Sequence, residues 1–250
     1  MTPTLAVPYQ QDNVVPFRNP RNLISIRPIE RTYASIYRSR RSRRTRFVEP
    51  SASIRKRLFD VIASSSALLF LAPLLIVIAI TIKLTSPGPV FFFQYRYGFR
   101  SRYFKIYKFR SMRSSAGDRS GVKQTVQGDS RVTWIGRILR KTSLDEIPQL
   151  INVIRGDMSL VGPRPHVPGM LAAQLLYEDL VPYYFQRHSA RPGITGLAQI
   201  SGCRGSTVEA GRAISRIDYD LEYIEKWSLL MDIKIIWLTV RREFLSGSGF

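Results

Sequence analysis

From Val61 to Ile82 the chain runs for 22 residues without a charge, VIASSSALLFLAPLLIVIAITI. As a straight helix such a run is long enough to cross a hydrocarbon core of about 30 Å. It is apolar on every face, which disfavours a helix with one side in water. Pro73 lies near its middle, where a missing N–H and a ring clash predict a kink. Both flanks are basic: Arg55, Lys56 and Arg57 precede the run, and Lys83, Arg96, Arg100, Arg102, Lys105, Lys108, Arg110 and Arg113 follow it. No acidic residue stands between Ile82 and Asp118. Basic flanks favour the cytoplasmic side of a membrane, so both ends are expected on one side. A re-entrant helix over residues 54–85 fits best; a full span and a buried helix of a soluble protein are the alternatives.

The charge balance asks for an anionic partner. The 250 residues carry 38 Lys and Arg against 18 Asp and Glu, a formal +20. From Met1 to Arg57 thirteen basic residues face three acidic ones, with the densest run at Arg38–Arg46. Residues 1–53 show no sustained apolar period and read as a disordered basic tail. Such a tail is either a plain solvated charge run or a tether to anionic lipid, where each basic residue contributes roughly 1 kcal/mol. Cys203 is the only cysteine, and His166 and His188 are the only histidines. A disulfide framework, a thiolate zinc site and a histidine-based hydrolase triad are all poor fits.

Beyond the apolar run, Ser86-Pro-Gly-Pro89 predicts a turn and Val90–Tyr95 a short strand. Residues 114–130 read as a loop. Helical spacing returns at Ile135, Ile138 and Leu139 and again at Ile147, Leu150, Ile151 and Ile154, as core-facing stripes. Arg187–Gly205, with Pro192 and Gly193, Gly196, Gly202 and Gly205, is either a loop-built site or an irregular connector. Tyr219–Val240 reads as one helix with Trp227 and Trp237, either packed in the core or lying at a lipid interface.

Chemistry concentrates between Leu139 and Pro165. Ser143 and Glu146 have capping-box spacing, which predicts a helix starting near Ser143 with Asp145 and Glu146 in its first turn. These acids then either complement the helix dipole or do chemistry. In the second case the helix end keeps Asp145 ionised, and Arg140 and Lys141 add positive potential where a diphosphate binds. An ionised carboxylate can attack phosphorus to give an acyl phosphate, and a neighbouring one can hold Mg2+. Arg164, between Pro163 and Pro165, is either a preorganised anion site or a rigid turn. Arg96, Arg110 and Arg191 are further anion-binding candidates. No P-loop and no Gly-x-Gly-x-x-Gly pattern is present.

Taken in order, Lys56-Arg-x-x-Asp60, Ser86-Pro-Gly-Pro-Val-Phe-Phe92, Lys108-Phe-Arg-Ser-Met112, Ser143-Leu-Asp-Glu146, Gly156–Pro165 and Arg191-Pro-Gly-Ile-Thr-Gly196 resemble the bacterial sugar transferase family, the monotopic polyprenyl phosphate phosphoglycosyl transferases, over roughly Arg55–Arg242. The resemblance implies a re-entrant membrane helix, Mg2+ as cofactor, a two-step reaction, and UDP-sugar and polyprenol phosphate as substrates, with UMP released. It implies Asp145 as nucleophile and Glu146 as the residue associated with the metal. Lys108, Arg110 and Arg164 look like phosphate-binding elements. Two positions depart from the family pattern: Ala72 rather than Ser precedes Pro73, and Ser101 stands where relatives carry a glycine.

The expected architecture is a mixed α/β, helix-rich catalytic domain over residues 86–245, anchored by the helix at 54–85 and by interfacial amphipathic helices, at the cytoplasmic face of a bacterial inner membrane. Its partners are the two substrates and anionic lipid, without nucleic acid; a homo-oligomer is left open. A catalytically silent membrane adaptor and a basic nucleic-acid-binding protein are the rivals. The intact Asp145–Glu146 pair argues against the first and the apolar run against the second.

Overall fold

The computed structural model describes residues 50–113, 129–203, 205 and 207–246. The basic run at 38–46 and nearly all of the predicted loop at 114–130 lie outside the described residues. The fold is mixed α/β and rich in helix, with one long apolar helix, α1 (Ile54–Thr85), near its start.

The Ser53 hydroxyl caps α1 by accepting the Lys56 N–H at 3.3 Å. Pro87, just past the C-terminal cap at Ser86, cannot extend it. The helix continues through Pro73. Its two ends are buried and its middle is not: Lys56, Asp60, Ser64, Ile78 and Ile82 are buried, while Leu69 and Phe70 are 80% and 83% exposed. Only 11% of its most apolar 18-residue stretch is covered by protein. A core helix of a soluble protein would be mostly covered, so this one presents its apolar turns outward.

Both ends of α1 dock on the same body. At the N-terminal end Arg57 donates to the carbonyls of Val153 (2.5 Å) and Ile154 (2.7 Å), placing a cation at the C-terminal end of α3 (Gln149–Arg155). Asp60 Oδ1 accepts the Leu160 N–H at 3.1 Å. At the C-terminal end Ile78 and Ile82 pack with Phe109, Ile135 and Leu139. Residues 50–53, given to the tail by the sequence, begin with a 3-10 turn at Pro50–Ala52. There the Ser51 hydroxyl accepts the Arg191 N–H at 2.7 Å.

β1 (Phe91–Tyr97) and β2 (Tyr103–Phe109) form an antiparallel hairpin with Phe91 opposite Phe109 and Tyr97 opposite Tyr103. Its turn forces positive φ on Arg100 (54°) and Ser101 (60°), so the serine adopts a conformation that suits glycine. Ser101 Oγ lies 2.9 Å from His188 Nδ1, a buried hydrogen bond that offsets the strain. The side chains of Gln94, Arg96 and Lys108 share one face of the hairpin.

α2 (Trp134–Lys141) starts at Thr133, whose hydroxyl accepts the Gly136 N–H at 3.0 Å. Gly136 lets the helix touch the end of the hairpin: a Cβ there would sit 2.0 Å from the Ser111 carbonyl oxygen. Ile135 and Leu139 face inward as the spacing predicts. Ile138 and Ile151 do not: they are 49% and 40% exposed, on surfaces that no described residue covers fully.

Past α3, β3 (Ser159–Val161) pairs in parallel with β6 (Gly193–Thr195), and β4 (Leu171–Ala172) pairs antiparallel with β5 (Leu175–Leu176). In chain order the short helix α4 (Tyr177–Leu180) follows β5, and α5 (Leu197–Ile200) follows β6 and precedes α6 (Ala210–Lys226). Every sheet among the described residues has two strands. The single helix expected over 219–240 is in fact two, α6 and α7 (Leu229–Ser246), separated by an extended Trp227 (ψ 135°). Asp232 explains the break: buried in α7, it accepts the Trp227 indole N–H at 3.0 Å, the Tyr223 hydroxyl at 2.8 Å and the Lys56 ammonium at 2.7 Å. Continuing α6 through Trp227 would give up that arrangement.

Candidate active site

The Asp145–Glu146 pair does not open an α-helix. Ser143 adopts left-handed backbone (φ 55°), makes no side-chain cap, and leads into a 3-10 turn at Leu144–Glu146; α3 begins three residues later. The capping box fails because both of its side chains have distant partners. The Ser143 hydroxyl donates to Glu243 Oε2 of α7 at 2.9 Å. Glu146 accepts Lys108 Nζ at 2.7 Å and both terminal nitrogens of Arg164, at 2.6 and 3.2 Å. A charge-assisted fork of this kind is worth more than a reciprocal cap.

Lys108 reaches the turn because hairpin alternation puts it on the same face as Arg96 and Gln94. Arg96 donates to Gln94 Oε1 at 2.5 Å and to the Pro165 carbonyl at 3.4 Å, beside Arg164. Burial, and then the neighbouring Arg164 guanidinium, lowers the Arg96 pKa to about 10. Four predicted residues therefore meet: Glu146, Lys108, Arg164 and Arg96, with Asp145 next in the chain.

The two carboxylates are driven apart. Burial raises Asp145 to about 6, against the pull of Lys108 and with the push of Glu146 beside it. Burial acts on Glu146 too, but Arg164 and Lys108 outweigh it and hold that carboxyl well below its usual range. The expectation that a helix end keeps Asp145 ionised is thus corrected: there is no helix end, and the charges that favour its ionised form are Lys108, Arg140 and Arg164. Lys141 is exposed. No side-chain hydrogen bond to a described residue engages the Asp145 oxygens, whereas those of Glu146 are committed.

Two of the candidate arginines are employed elsewhere. Arg110 closes the C-terminal end of α1, donating to the carbonyls of Pro87 (2.6 Å) and Ser86 (2.8 Å) and to the Ser86 hydroxyl (2.8 Å). Arg191 donates to the carbonyls of Gly156 (3.1 Å) and Ser51 (2.9 Å). Neither contacts the carboxylate pair, and both reach backbone carbonyls at helix ends and turns.

Sequence reasoning missed Arg187. Fully buried, it pairs with Asp220 at 2.6 Å and donates to the Arg164 carbonyl at 2.5 Å, fixing the backbone that carries the Arg164 fork. Nothing in its local sequence distinguishes it from other basic residues. It also missed Ser111, whose hydroxyl accepts Arg140 Nε at 2.8 Å and so holds that guanidinium near Asp145.

As to metal, no cluster of three or more His, Cys, Asp or Glu is present among the described residues. Mg2+ nevertheless needs only one or two protein carboxylates where substrate phosphates complete its shell. Oε1 of Glu146 accepts two hydrogen bonds and Oε2 only the longer one, so Oε2 is the less committed oxygen and the one that would take a cation, in exchange for its 3.2 Å bond to Arg164.

Residues 51–246 match the family model described as bacterial sugar transferase. Over 195 residues the chain is 55% identical to the exopolysaccharide production protein PSS of Rhizobium leguminosarum bv. phaseoli, covering 78% of this chain and 98% of that one. It is 51% identical over 197 residues to the undecaprenyl-phosphate glucose phosphotransferase of Komagataeibacter xylinus, covering 79% of this chain and 37% of the relative. It is 47% identical over 195 residues to the UDP-glucose:undecaprenyl-phosphate glucose-1-phosphate transferase of Escherichia coli K12, covering 78% and 41%. The match to the first relative is nearly end to end, while the other two are more than twice as long as the matched region.

Proposed function

The chain belongs to the bacterial sugar transferase family, and from that premise we propose that it transfers a sugar 1-phosphate from a UDP-sugar to undecaprenyl phosphate, releasing UMP, as the first membrane step of exopolysaccharide synthesis. The names of two close relatives make UDP-glucose the first donor to test. The observation that carries the chemistry is the split pair: a buried Asp145 with uncommitted oxygens beside a Glu146 locked by Lys108 and Arg164.

In this reading Asp145 attacks the phosphorus nearest the sugar. An oxygen–phosphorus bond forms, the bond from that phosphorus to the bridging oxygen breaks, and its electron pair leaves with UMP. An oxygen of the lipid phosphate then attacks the same phosphorus and expels the aspartate carboxylate, giving polyprenyl diphosphate sugar and restoring Asp145. No net proton transfer is needed. Lys108, Arg96 and Arg164 supply positive potential for the diphosphate, and the Arg187–Asp220 pair keeps Arg164 in place. Glu146 would hold Mg2+, which when bound neutralises diphosphate charge.

The reading extends to the membrane. We place α1 re-entrant, with its apolar middle in the inner leaflet and the catalytic body on the cytoplasmic face. Docking of both ends of α1 on one body supports this, as do basic flanks on each side. The exposed stripe Leu230, Ile233, Trp237 and Val240 on α7, with Trp134 and Ile138 on α2, supports helices lying at the interface.

The test is UMP release by purified, detergent-solubilised protein given Mg2+, undecaprenyl phosphate and a panel of UDP-sugars. Release with UDP-glucose, dependent on Mg2+, is expected; a folded protein that yields no UMP from any donor would return the adaptor reading. The pH profile follows from Asp145. Attack needs the carboxylate, and its proton leaves at about 6, so kcat/KM should climb about tenfold per unit below pH 6 and level off above pH 7. A flat profile from pH 5 to 7 would remove Asp145 ionisation from the mechanism.

A further inference from the structure

We propose that Glu243 is a positioning residue for the nucleophile, acting through Ser143; the inference rests on the reaction proposed above. Ser143 carries left-handed backbone, which a non-glycine residue adopts only where its surroundings over-determine it. That reversal sets the 3-10 turn, since the Ser143 carbonyl accepts the Glu146 N–H at 3.2 Å, and the turn presents Asp145. A side-chain bond that holds the reversal comes from 100 residues away: Ser143 Oγ to Glu243 Oε2 at 2.9 Å.

Glu243 is not on a loose end. One turn earlier the Thr239 hydroxyl meets the Thr195 hydroxyl of β6 at 2.6 Å, and the adjacent Arg242 donates to the carbonyls of Gln199 (3.3 Å) and Ile200 (2.9 Å). Helix α7 is thereby seated on α5 and β6 where it offers the carboxylate, and on its other side it shows the apolar stripe from Leu230 to Val240. The hydrogen bond ties that helix to the turn bearing the nucleophile, so the two move together. Glu243 also adds negative potential at Arg164, a separate effect that the test must distinguish.

The test is steady-state UMP release by the full-length protein with UDP-glucose and undecaprenyl phosphate. Glu243→Ala is expected to lower kcat roughly 10- to 100-fold, the usual penalty for a small misplacement of a reacting group. KM for the donor should stay within about threefold because Lys108, Arg96 and Arg164 are untouched. Glu243→Gln keeps an acceptor oxygen for Ser143 and should restore kcat to within about threefold of the parent, although the charge is gone. Ser143→Ala should match Glu243→Ala, and the double variant should fall no further, as for two ends of one interaction. Glu243→Ala with parental kcat would overturn the inference, as would equal losses in the Ala and Gln variants, which would put charge at Arg164 in control. No UMP from the parent protein would overturn both the inference and the reaction beneath it.

Discussion

Asp145→Asn should abolish UMP release, with a loss on the order of 10^4-fold or more, the scale on which removal of a covalent nucleophile is felt. The substitution is close to isosteric, and the side chain is buried without a side-chain hydrogen bond to a described residue, so the fold has little reason to change. It removes the charge that burial already destabilises and leaves a group that cannot attack phosphorus. The neighbour is a poor substitute. Glu146 is held in three hydrogen bonds by two cations, so its oxygens carry less available electron density and cannot turn toward a substrate without breaking the fork. A second readout separates nucleophile from general helper. With UDP-glucose and no lipid acceptor, the parent should gain the mass of one glucose phosphate and the variant should not. Residual turnover above a hundredth of the parent rate would move the nucleophile away from Asp145.

How much of this was readable from the chain depends on the range of the interaction concerned. The long apolar helix, the first strand of the hairpin after Ser86-Pro-Gly-Pro89, and Ile135 and Leu139 on the inward face of α2 follow from local pattern; the second strand, Tyr103–Phe109, does not. Asp145, Glu146, Lys108, Arg164 and Arg96 are proposed from recognisable blocks, and the structure sets these side chains in one neighbourhood. What failed was partner assignment. With 38 basic residues and 18 acidic ones, residue type alone cannot say which cations serve an anion and which serve backbone. Arg110 and Arg191 went to carbonyls at helix ends and turns, while Arg187, at the edge of the glycine-containing segment and not among the anion-binding candidates, holds the Arg164 carbonyl. The capping box between Ser143 and Glu146 was legible and absent for the same reason: Glu243, Lys108 and Arg164 compete from far along the chain and win. The division of 219–240 into two helices needed Asp232 and its partners, and Lys56, which seals that site, lies 176 residues away.

Asp232→Ala should be strongly destabilising, costing roughly 3–5 kcal/mol, because it takes the ion-pair partner from a buried charge. Lys56 and Asp232 are 5% and 0% exposed at their side chains and 2.7 Å apart. Removing the carboxylate leaves the ammonium with the Val161 carbonyl at 3.1 Å as its hydrogen-bond partner, the Tyr223 ring at 5.9 Å and the weaker pull of Asp60. The Tyr223 hydroxyl keeps that same carbonyl, at 3.0 Å, while the Trp227 indole N–H loses its acceptor. For a chain of this size the cost corresponds to a fall in Tm on the order of 10 °C, measurable by thermal denaturation in detergent. Lys56→Met with Asp232→Leu should recover much of it, since removing both charges costs less than removing one; the remaining penalties are the Trp227 N–H and a buried Asp60 that has lost the Lys56 charge. If Asp232→Ala costs under about 1 kcal/mol, water reaches the site and the pair is not sealed. The consequence reaches the membrane segment: the pair joins the N-terminal end of α1 to α7, so the variant should lose that junction before it loses the hairpin or the Arg187–Asp220 pair. Proteolysis should then open the chain first near residues 50–57, with the Asp145 turn still protected.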